Sequence, residues 1–424
     1  MLNKMKKEMY DHLTENIIPF WKSLRDDEYG GYYGLLTYDL KLDKKAVKGC
    51  ILNSRILWFF SNAYLLLRKE DILEEADHAY DWLKKYCYDP INGGVFWSLK
   101  NDGWIEDDTK HTYNIAFAIY ALSSYFDATQ NVEALNLAGD LRKTIESKCR
   151  DKQGYLEAFS RDFKPAGNEK LSENGVEAYR TMNTLLHVFE AYTEYLRVIK
   201  KLLNKEETVI KKMLNDNNGN MYSLLLNEKD KVGDDIRFML DIIRDKIYNP
   251  ELRRQEVFFD KDYNSLIDLH SYGHDIETSW LVDRGLRVLD DNRYTGQIER
   301  ITGNLASKIY ERAYVDHSLL NECEKGADDT TRVWWVQAET VLGFINAYEK
   351  SKESKDEISA KKYLEAAVDV WEYIKDKIID KRKGSEWYSQ VDKDGNPDPS
   401  RDIVEPWKCP YHNGRMCIYI QDIH

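Results

Sequence analysis

The sequence predicts an all-α fold, a closed (α/α)6 barrel of six helix pairs with short β-hairpins at one end. Three observations predict it. A hairpin signature rich in glycine and aromatic residues recurs six times, mostly about sixty residues apart. Each interval holds two stretches with apolar residues at i, i+3, i+4 and i+7, the pattern of a helix that buries one face. The end of the chain, Trp407 to Ile420, is aromatic and apolar. A last repeat of that composition meets the first one, whereas an open solenoid would end in a polar cap.

The hairpins come in order. The first is Asp27-Glu28-Tyr29-Gly30-Gly31-Tyr32-Tyr33-Gly34, the second runs from Tyr88 through Asn92-Gly93-Gly94 to Trp97, and the third is Asp151 to Leu156. Weaker copies follow at Tyr248-Asn249-Pro250 leading to Val257-Phe258-Phe259, at Tyr314 to Glu322, and at Lys383 to Tyr388. Helical periodicity lies between them at Ile56 to Leu67, Ile115 to Phe126, Val176 to Val198, Val333 to Tyr348 and Ala360 to Ile379. Asp-, Asn- and Gly-rich turns separate the two helices of a pair. The interval after Gly154 is too long, and its excess, near Leu203 to Asp230 (203–230), is dominated by Lys, Asn, Glu and Asp. That stretch reads as a polar insertion beside the barrel. Eight prolines are too few to mark a long linker, so residues 1–424 are expected to form a single domain.

With 424 residues, 42% of them hydrophobic, the chain has enough apolar surface for a large core. A net charge of −13 disfavours nucleic acid and anionic membranes, which need clustered Lys and Arg. The start, Met1 to Tyr10, is lysine-rich without the apolar run of an export signal, and no stretch of about 18 apolar residues is expected to span a bilayer. The six cysteines are scattered, with no CxxC pair, and read as reduced core thiols in a cytoplasmic protein.

If the second helix of every pair lines the inside, all six inner helices run parallel and their N-terminal ends meet at one mouth. Arg55 is expected to open the first of them and Tyr113 the second; Asn183 and His187 lie on the third. His274, Asp275 and Glu277 start the fourth, Trp334, Trp335, Gln337 and Glu339 the fifth, and Trp407, Lys408, Tyr411, His412 and Arg415 the sixth. Helix N-termini favour negative charge developing on oxygen. Tryptophan and tyrosine around a polar cavity suit sugars, whose C–H faces stack on rings while charged and amide groups bind hydroxyls. Two adjacent tryptophans on one helix point in different directions, so one of Trp334 and Trp335 faces the cavity. His12, His78, His111, His317 and His424 read as ordinary core or surface groups. His270 and His274 lack the HExxH context of a metal site, and no GxGxxG or GxxxxGK phosphate loop is present, so neither metal nor cofactor is expected.

The runs Met182 to Tyr192, Ser271 to Leu281, Arg332 to Glu339 and Trp407 to His412 resemble the N-acylglucosamine 2-epimerase superfamily, and within it the cellobiose 2-epimerases. The resemblance covers nearly the whole chain apart from 203–230. It implies an (α/α)6 barrel that epimerises C2 of the reducing-end sugar of a β-1,4-linked disaccharide without metal or cofactor. By resemblance, His274 and His412 are the acid–base pair, His187 assists ring opening or the intermediate, and Arg55 and Glu277 hold the reacting end. Tyr113, Asn183, Glu322, Trp334 or Trp335, and Trp407 are expected to contact substrate. The family pattern is altered around Glu322 and at Leu185, where many relatives carry another histidine, which bears on fine specificity. The chemistry fits the residues: only a proton alpha to a carbonyl is acidic enough for a side-chain base, and imidazole, with an ordinary pKa near 6.5, reaches both protonation states near neutral pH. The competing expectations are an aldose–ketose isomerase or N-acylglucosamine or mannose 2-epimerase of the same superfamily, a glycoside hydrolase pairing Asp275 or Glu277 with Glu339, and a sugar-binding protein without activity. The expected partner is a small disaccharide, and the expected assembly a monomer or weak homodimer.

Overall fold

The computed structural model describes residues 1–168, 170, 174–214 and 220–423. Among the described residues, fourteen α-helices make up the barrel and its connections. The inner helices are α3 (Cys50–Leu67), α5 (Thr112–Thr129), α7 (Met182–Leu203), α10 (Tyr272–Leu289), α12 (Trp334–Glu353) and the short α14 (His412–Tyr419). They touch one another in that order, and α14 packs back on α3, so the ring closes. The outer layer is α1 (Leu2–His12) continued into α2 (Ile18–Lys22), then α4 (Glu70–Trp82), α6 (Val132–Thr144), α9 (Asn220–Ile242), α11 (Asn292–Arg312) and α13 (Glu357–Tyr373).

Composition sorts the two layers. Helix α3 is apolar almost all round, and nearly every residue from Cys50 to Ala63 is buried, as a helix enclosed on all sides requires. Helix α4 buries Ile72, Ala76, Ala79 and Tyr80 on one stripe and leaves its acidic face in water. Four outer helices end in a π turn whose first and last residues are buried, as with Leu83 and Cys87 or Ile145 and Cys149. The return from inner to outer helix is tight and turns on a left-handed residue, Arg68, Gln130 or Asp290. Asn131 and Asp291 then cap α6 and α11.

At the other end, two or three residues ahead of each long inner helix pair antiparallel with the hairpin of the next repeat. Lys48–Gly49 pairs with Ser98–Leu99, Lys110–His111 with Ala158–Phe159, Arg180–Thr181 with Phe258–Phe259, Leu269–Ser271 with Glu322–Glu324, and Arg332–Val333 with Gln390–Val391. The Leu36–Val404 bridge completes the circle. A turn acid in the first three hairpins caps its own loop and takes a basic residue from the following strand: Lys48 on Asp26 (2.5 Å), Lys110 on Asp89 (3.2 Å) and Arg180 on Asp151 (2.6 Å).

Three sequence expectations need correction. The stretch 203–230 is more than an insertion: after α8 (Glu207–Met213), residues 220–230 begin α9, the outer helix that packs on α7, with Leu225, Val232, Ile236 and Leu240 buried. Residues 215–219 of it lie outside the described residues. Helix Cys50–Leu67 is long and apolar enough to cross a membrane, contrary to expectation, yet it is an inner helix with 72% of its residues buried and Arg55 in its second turn. Val176 to Val198 overruns its helix, because residues 176–181 are a loop and strand ahead of α7.

Glycines set the closest approaches in the ring. A Cβ on Gly414 of α14 would lie 2.5 Å from the Phe59 ring of α3, and one on Gly343 of α12 would lie 2.4 Å from Ile276 of α10. Alanine at position 414 gains up to about 1 kcal/mol in helix propensity but loses about 1–3 kcal/mol to overpacking against a fully buried ring. Gly414→Ala is therefore expected to lower the melting temperature, while Gly303→Ala on α11, where nothing lies within 4 Å, raises it. Thermal unfolding of both variants checks the sign.

Candidate functional site

The parallel inner helices bring their first turns to one mouth. In the upper layer stand Tyr113 and Asn183, each second in its helix, with Trp335 second in α12, His274 third in α10 and His412 first in α14. The sixth residues of the five long inner helices, Arg55, Phe117, His187, Glu277 and Glu339, form a layer beneath. At 1.5 Å of rise per residue that layer lies several ångströms deeper. Arg55 sits in the second turn of α3, since the helix begins at Cys50 and not at Arg55.

Arg415, fully buried on α14, is the hub of the lower layer. Its Nη2 donates to Glu277 Oε1 (2.6 Å) and Glu339 Oε1 (2.7 Å), and its Nη1 donates to Glu190 Oε1 and Tyr411 Oη. Two of these carboxylates orient imidazoles. Glu339 Oε1 lies 2.7 Å from His412 Nδ1, and Glu190 Oε2 lies 2.9 Å from His187 Nδ1. Tyr411 Oη donates to Glu190 Oε2 at 2.5 Å, and Trp280 Nε1 donates to Glu339 Oε2 at 2.9 Å. His274 Nδ1 is held by Ser271 Oγ at 2.7 Å. In all three histidines the bonded nitrogen is Nδ1, which leaves Nε2 for chemistry.

His274 and His412 belong to helices on either side of α12 and share Trp335. The Trp335 ring is centred 4.9 Å from the His274 ring and 5.4 Å from that of His412. They flank one inner helix rather than facing each other across the full diameter of the ring. Trp335 is the partly exposed tryptophan; Trp334 is buried, with the Lys408 ammonium 4.5 Å from its ring and its edge behind His412. Arg55 Nη2 donates to Tyr113 Oη (2.7 Å), and Arg55 Nη1 donates to the Trp407 carbonyl (3.4 Å). The Trp407 ring packs on Trp97 and Tyr113. Glu322 pairs in register with Ser271, accepts from Asn174 (3.1 Å), and lines a narrow cleft with Asn183, Phe258 and His274. The residues expected to act on or contact substrate thus gather at this mouth, with Trp334 behind its wall, while Asp275, Gln337 and Lys408 are engaged by Gln255 and His270, by the Leu319 backbone and by Glu386. Buried Arg55 Nε, Asn183 Oδ1 and Glu277 Oε2 have no hydrogen-bond partner among the described residues, and incoming hydroxyls would satisfy them.

The electrostatics follow from burying three carboxylates against one guanidinium. Burial opposes ionisation of Glu190, but Arg415 and His187 outweigh it and hold that carboxyl at about 2. Burial, reinforced by Glu339, pushes Glu277 up to about 7, and burial raises Glu339 as well. Burial and the nearby His187 lower His274 to about 3; burial, Arg415 and Arg55 take His412 well below its ordinary value. Both imidazoles are therefore neutral at neutral pH. Glu277, Glu339 and His412 place ligand atoms within 4.8 Å of one another, a grouping that suits a cation, but Arg415 already brings positive charge to both carboxylates. His270 is engaged elsewhere, by Asp275 at 2.8 Å.

Sequence reasoning missed Glu190 and Ser271 and gave Glu339, Tyr411 and Arg415 no part in orienting the histidines. The signal for Glu190 was its place three residues after His187 in the mostly apolar first half of α7, and for Arg415 the four-residue step from Tyr411. His12, His78 and His317 lie on partners away from the mouth, at Trp387, Gly31 and Asp369, and His424 is outside the described residues.

Two outcomes test this network. Arg415→Met strands buried carboxylates and is expected to cost about 3–5 kcal/mol in urea unfolding. His274 protonates near 3 when folded but near 6.5 when unfolded, so the unfolded chain binds more protons between those values and stability falls as pH drops through that window. Relative to His274→Asn, the unmodified protein should lose on the order of 1 kcal/mol per pH unit below 6.5. Denaturation midpoints at about pH 7 and about pH 5 measure the difference, and equal losses would contradict the assignment.

The comparisons with known proteins agree with this fold. The signature of the N-acylglucosamine 2-epimerase (GlcNAc 2-epimerase) family matches residues 30–228 and 236–414. The chain is 49% identical over 417 residues to the cellobiose 2-epimerase of Eubacterium cellulosolvens, covering 98% of each chain. Among solved structures it is similar to a sugar epimerase from a ruminal bacterium, with a TM-score of 0.89, 47% identity and 99% of each chain covered. It is also similar to the cellobiose 2-epimerase of Bacillus thermoamylovorans B4167, with a TM-score of 0.86, 41% identity, and 99% of this chain and 100% of that one covered.

Proposed function

From the chain's membership of the N-acylglucosamine 2-epimerase family, which makes it a carbohydrate epimerase, we propose that it inverts C2 of the reducing-end sugar of β-1,4-linked disaccharides. Cellobiose would give glucosyl-mannose and lactose would give epilactose. The observation that carries this reading is the pair of neutral imidazoles, His274 and His412, held through Nδ1 on either side of Trp335. Epimerisation needs two groups that reach C2 from opposite faces.

The reaction starts with ring opening, in which O1 gives up its proton and the ring oxygen gains one; His187 stands beside Tyr113 to assist. One imidazole Nε2 then takes the C2 proton, and the electron pair moves through C1 onto O1. The unpartnered Nε–H of Arg55 is the donor for that oxygen. The second histidine, neutral at rest, is first protonated by a neighbouring acid and, as the imidazolium so formed, returns a proton to the other face of C2; collapse of the enediolate restores the aldehyde before ring closure. Glu277, raised to about 7 with Oε1 3.9 Å from His412 Nδ1, is a nearby group able to hold that proton at neutral pH. The disaccharide keeps its linkage. A hydrolase would need two carboxylates spaced across the scissile bond, whereas Glu277 and Glu339 share one Arg415 nitrogen and Asp275 is occupied by His270 and Gln255. Five of the six free cysteines are buried, which fits the cytoplasmic location we propose.

His274→Ala and His412→Ala are each expected to lower epimerisation at least about a hundred-fold and to leave the melting temperature within a few degrees of the parent. NMR of cellobiose in deuterated water measures product and C2 exchange together. Near-normal turnover in either variant removes that histidine from the reaction, and a ketose product would redirect the reading to an isomerase.

A further inference from the structure

A second cavity of the barrel opens at the opposite mouth. It measures about 530 Å³, within the range of small-ligand sites, and lies where the inner helices end. Aromatic side chains in the barrel interior, Trp58 stacked on Tyr120 and packed edge-on against Tyr411 and Tyr419, separate it from the catalytic mouth. The Trp280 side chain belongs to both regions: it lines the lower cavity, and its Nε1 donates to Glu339, the carboxylate on His412.

The chemistry of the lining narrows the ligand. Arg197, Arg284 and Arg287 face Asp127, Glu349 and Asp422, so the cavity is balanced in charge. Arg197 spends its donors on Glu194 and Asp127, and Arg284 Nη2 donates to Glu194. Arg284 Nη1 is buried with no partner among the described residues, and Arg287 makes a long contact of 3.5 Å to Asn346. Helix C-termini add partial negative charge, which works against an anion. Unspent N–H donors, amide and carboxylate acceptors, and an aromatic surface together match a neutral polyhydroxyl ring. We infer that this cavity is a second carbohydrate site, which binds a neutral pyranoside between Arg284, Arg287 and Trp280 and reports its occupancy to His412 through Glu339.

The test uses the full chain labelled with 5-fluorotryptophan and titrated with methyl β-D-glucopyranoside, followed by fluorine NMR. This probe has no free anomeric hydroxyl and cannot be epimerised, so the result is independent of the proposed reaction, which the C2 exchange assay judges separately. Trp280→Phe and Trp335→Phe assign the two resonances. A saturable shift of the Trp280 signal is expected, weakened at least tenfold in Arg287→Leu and Arg284→Leu while the Trp335 response is unchanged. Arg287→Leu is the variant of small structural cost should Arg284→Leu fail to fold. An unmoved Trp280 signal overturns the inference. So does a shift that persists undiminished in the arginine variants, which would be relayed from the catalytic mouth, and so does a shift produced by inorganic phosphate and not by the glucoside.

Discussion

The site depends on one buried guanidinium. Arg415 holds Glu190, Glu277 and Glu339 together at the axis of the ring, and through two of them it fixes His187 and His412. Burying three carboxylates is costly even with a cation among them. The surrounding helix N-termini offset part of the excess negative charge, and the remainder appears as the raised Glu277 and Glu339 carboxyls. Losing Arg415 would therefore loosen the supports of His187 and His412 in a single event.

The ring supplies what the network cannot supply for itself, a rigid set of helix starting points. The paired strands ahead of each long inner helix tie one repeat to the next, and two buried Lys–Asp pairs and the Arg180–Asp151 pair, whose carboxylate is exposed, pin the first three hairpins. Position along an inner helix then becomes depth in the site. That is why Arg55, His187, Glu277 and Glu339, far apart in sequence, form one layer. Gly414 lies against Phe59 where α14 closes on α3, so the shortest inner helix carries both His412 and a seam with no room for a Cβ.

Much of this was legible in the sequence, for physical reasons. Hairpin turns need glycine and Asx residues at fixed places, and apolar periodicity picked out stretches of four inner helices and one outer helix, so the repeating pairs and the converging mouth could be read directly. Polar residues near the start of otherwise apolar helices marked His274, His412 and Arg55. What escaped depends on partners distant in the chain. Glu190 looks like any helical acid until Arg415 and Tyr411 arrive from more than two hundred residues away. Residues 220–230 looked like solvated insertion because an outer helix carries charge on most of its surface, and its buried stripe is clear only beside α7. The two mouths also differ in legibility: the lower cavity is built from the ends of helices, where leucine, arginine and asparagine carry no pattern.

The central claim is geometric: His274 and His412 address one carbon from opposite faces. The direct measurement is a crystal structure with cellobiitol, the open-chain polyol of the proposed substrate. The account predicts the carbon corresponding to C2 between the two Nε2 atoms, each about 3–3.5 Å away, with the Arg55 Nε on the adjacent oxygen. That carbon lying beyond reach of either imidazole, or both nitrogens on the same face of it, would contradict the account.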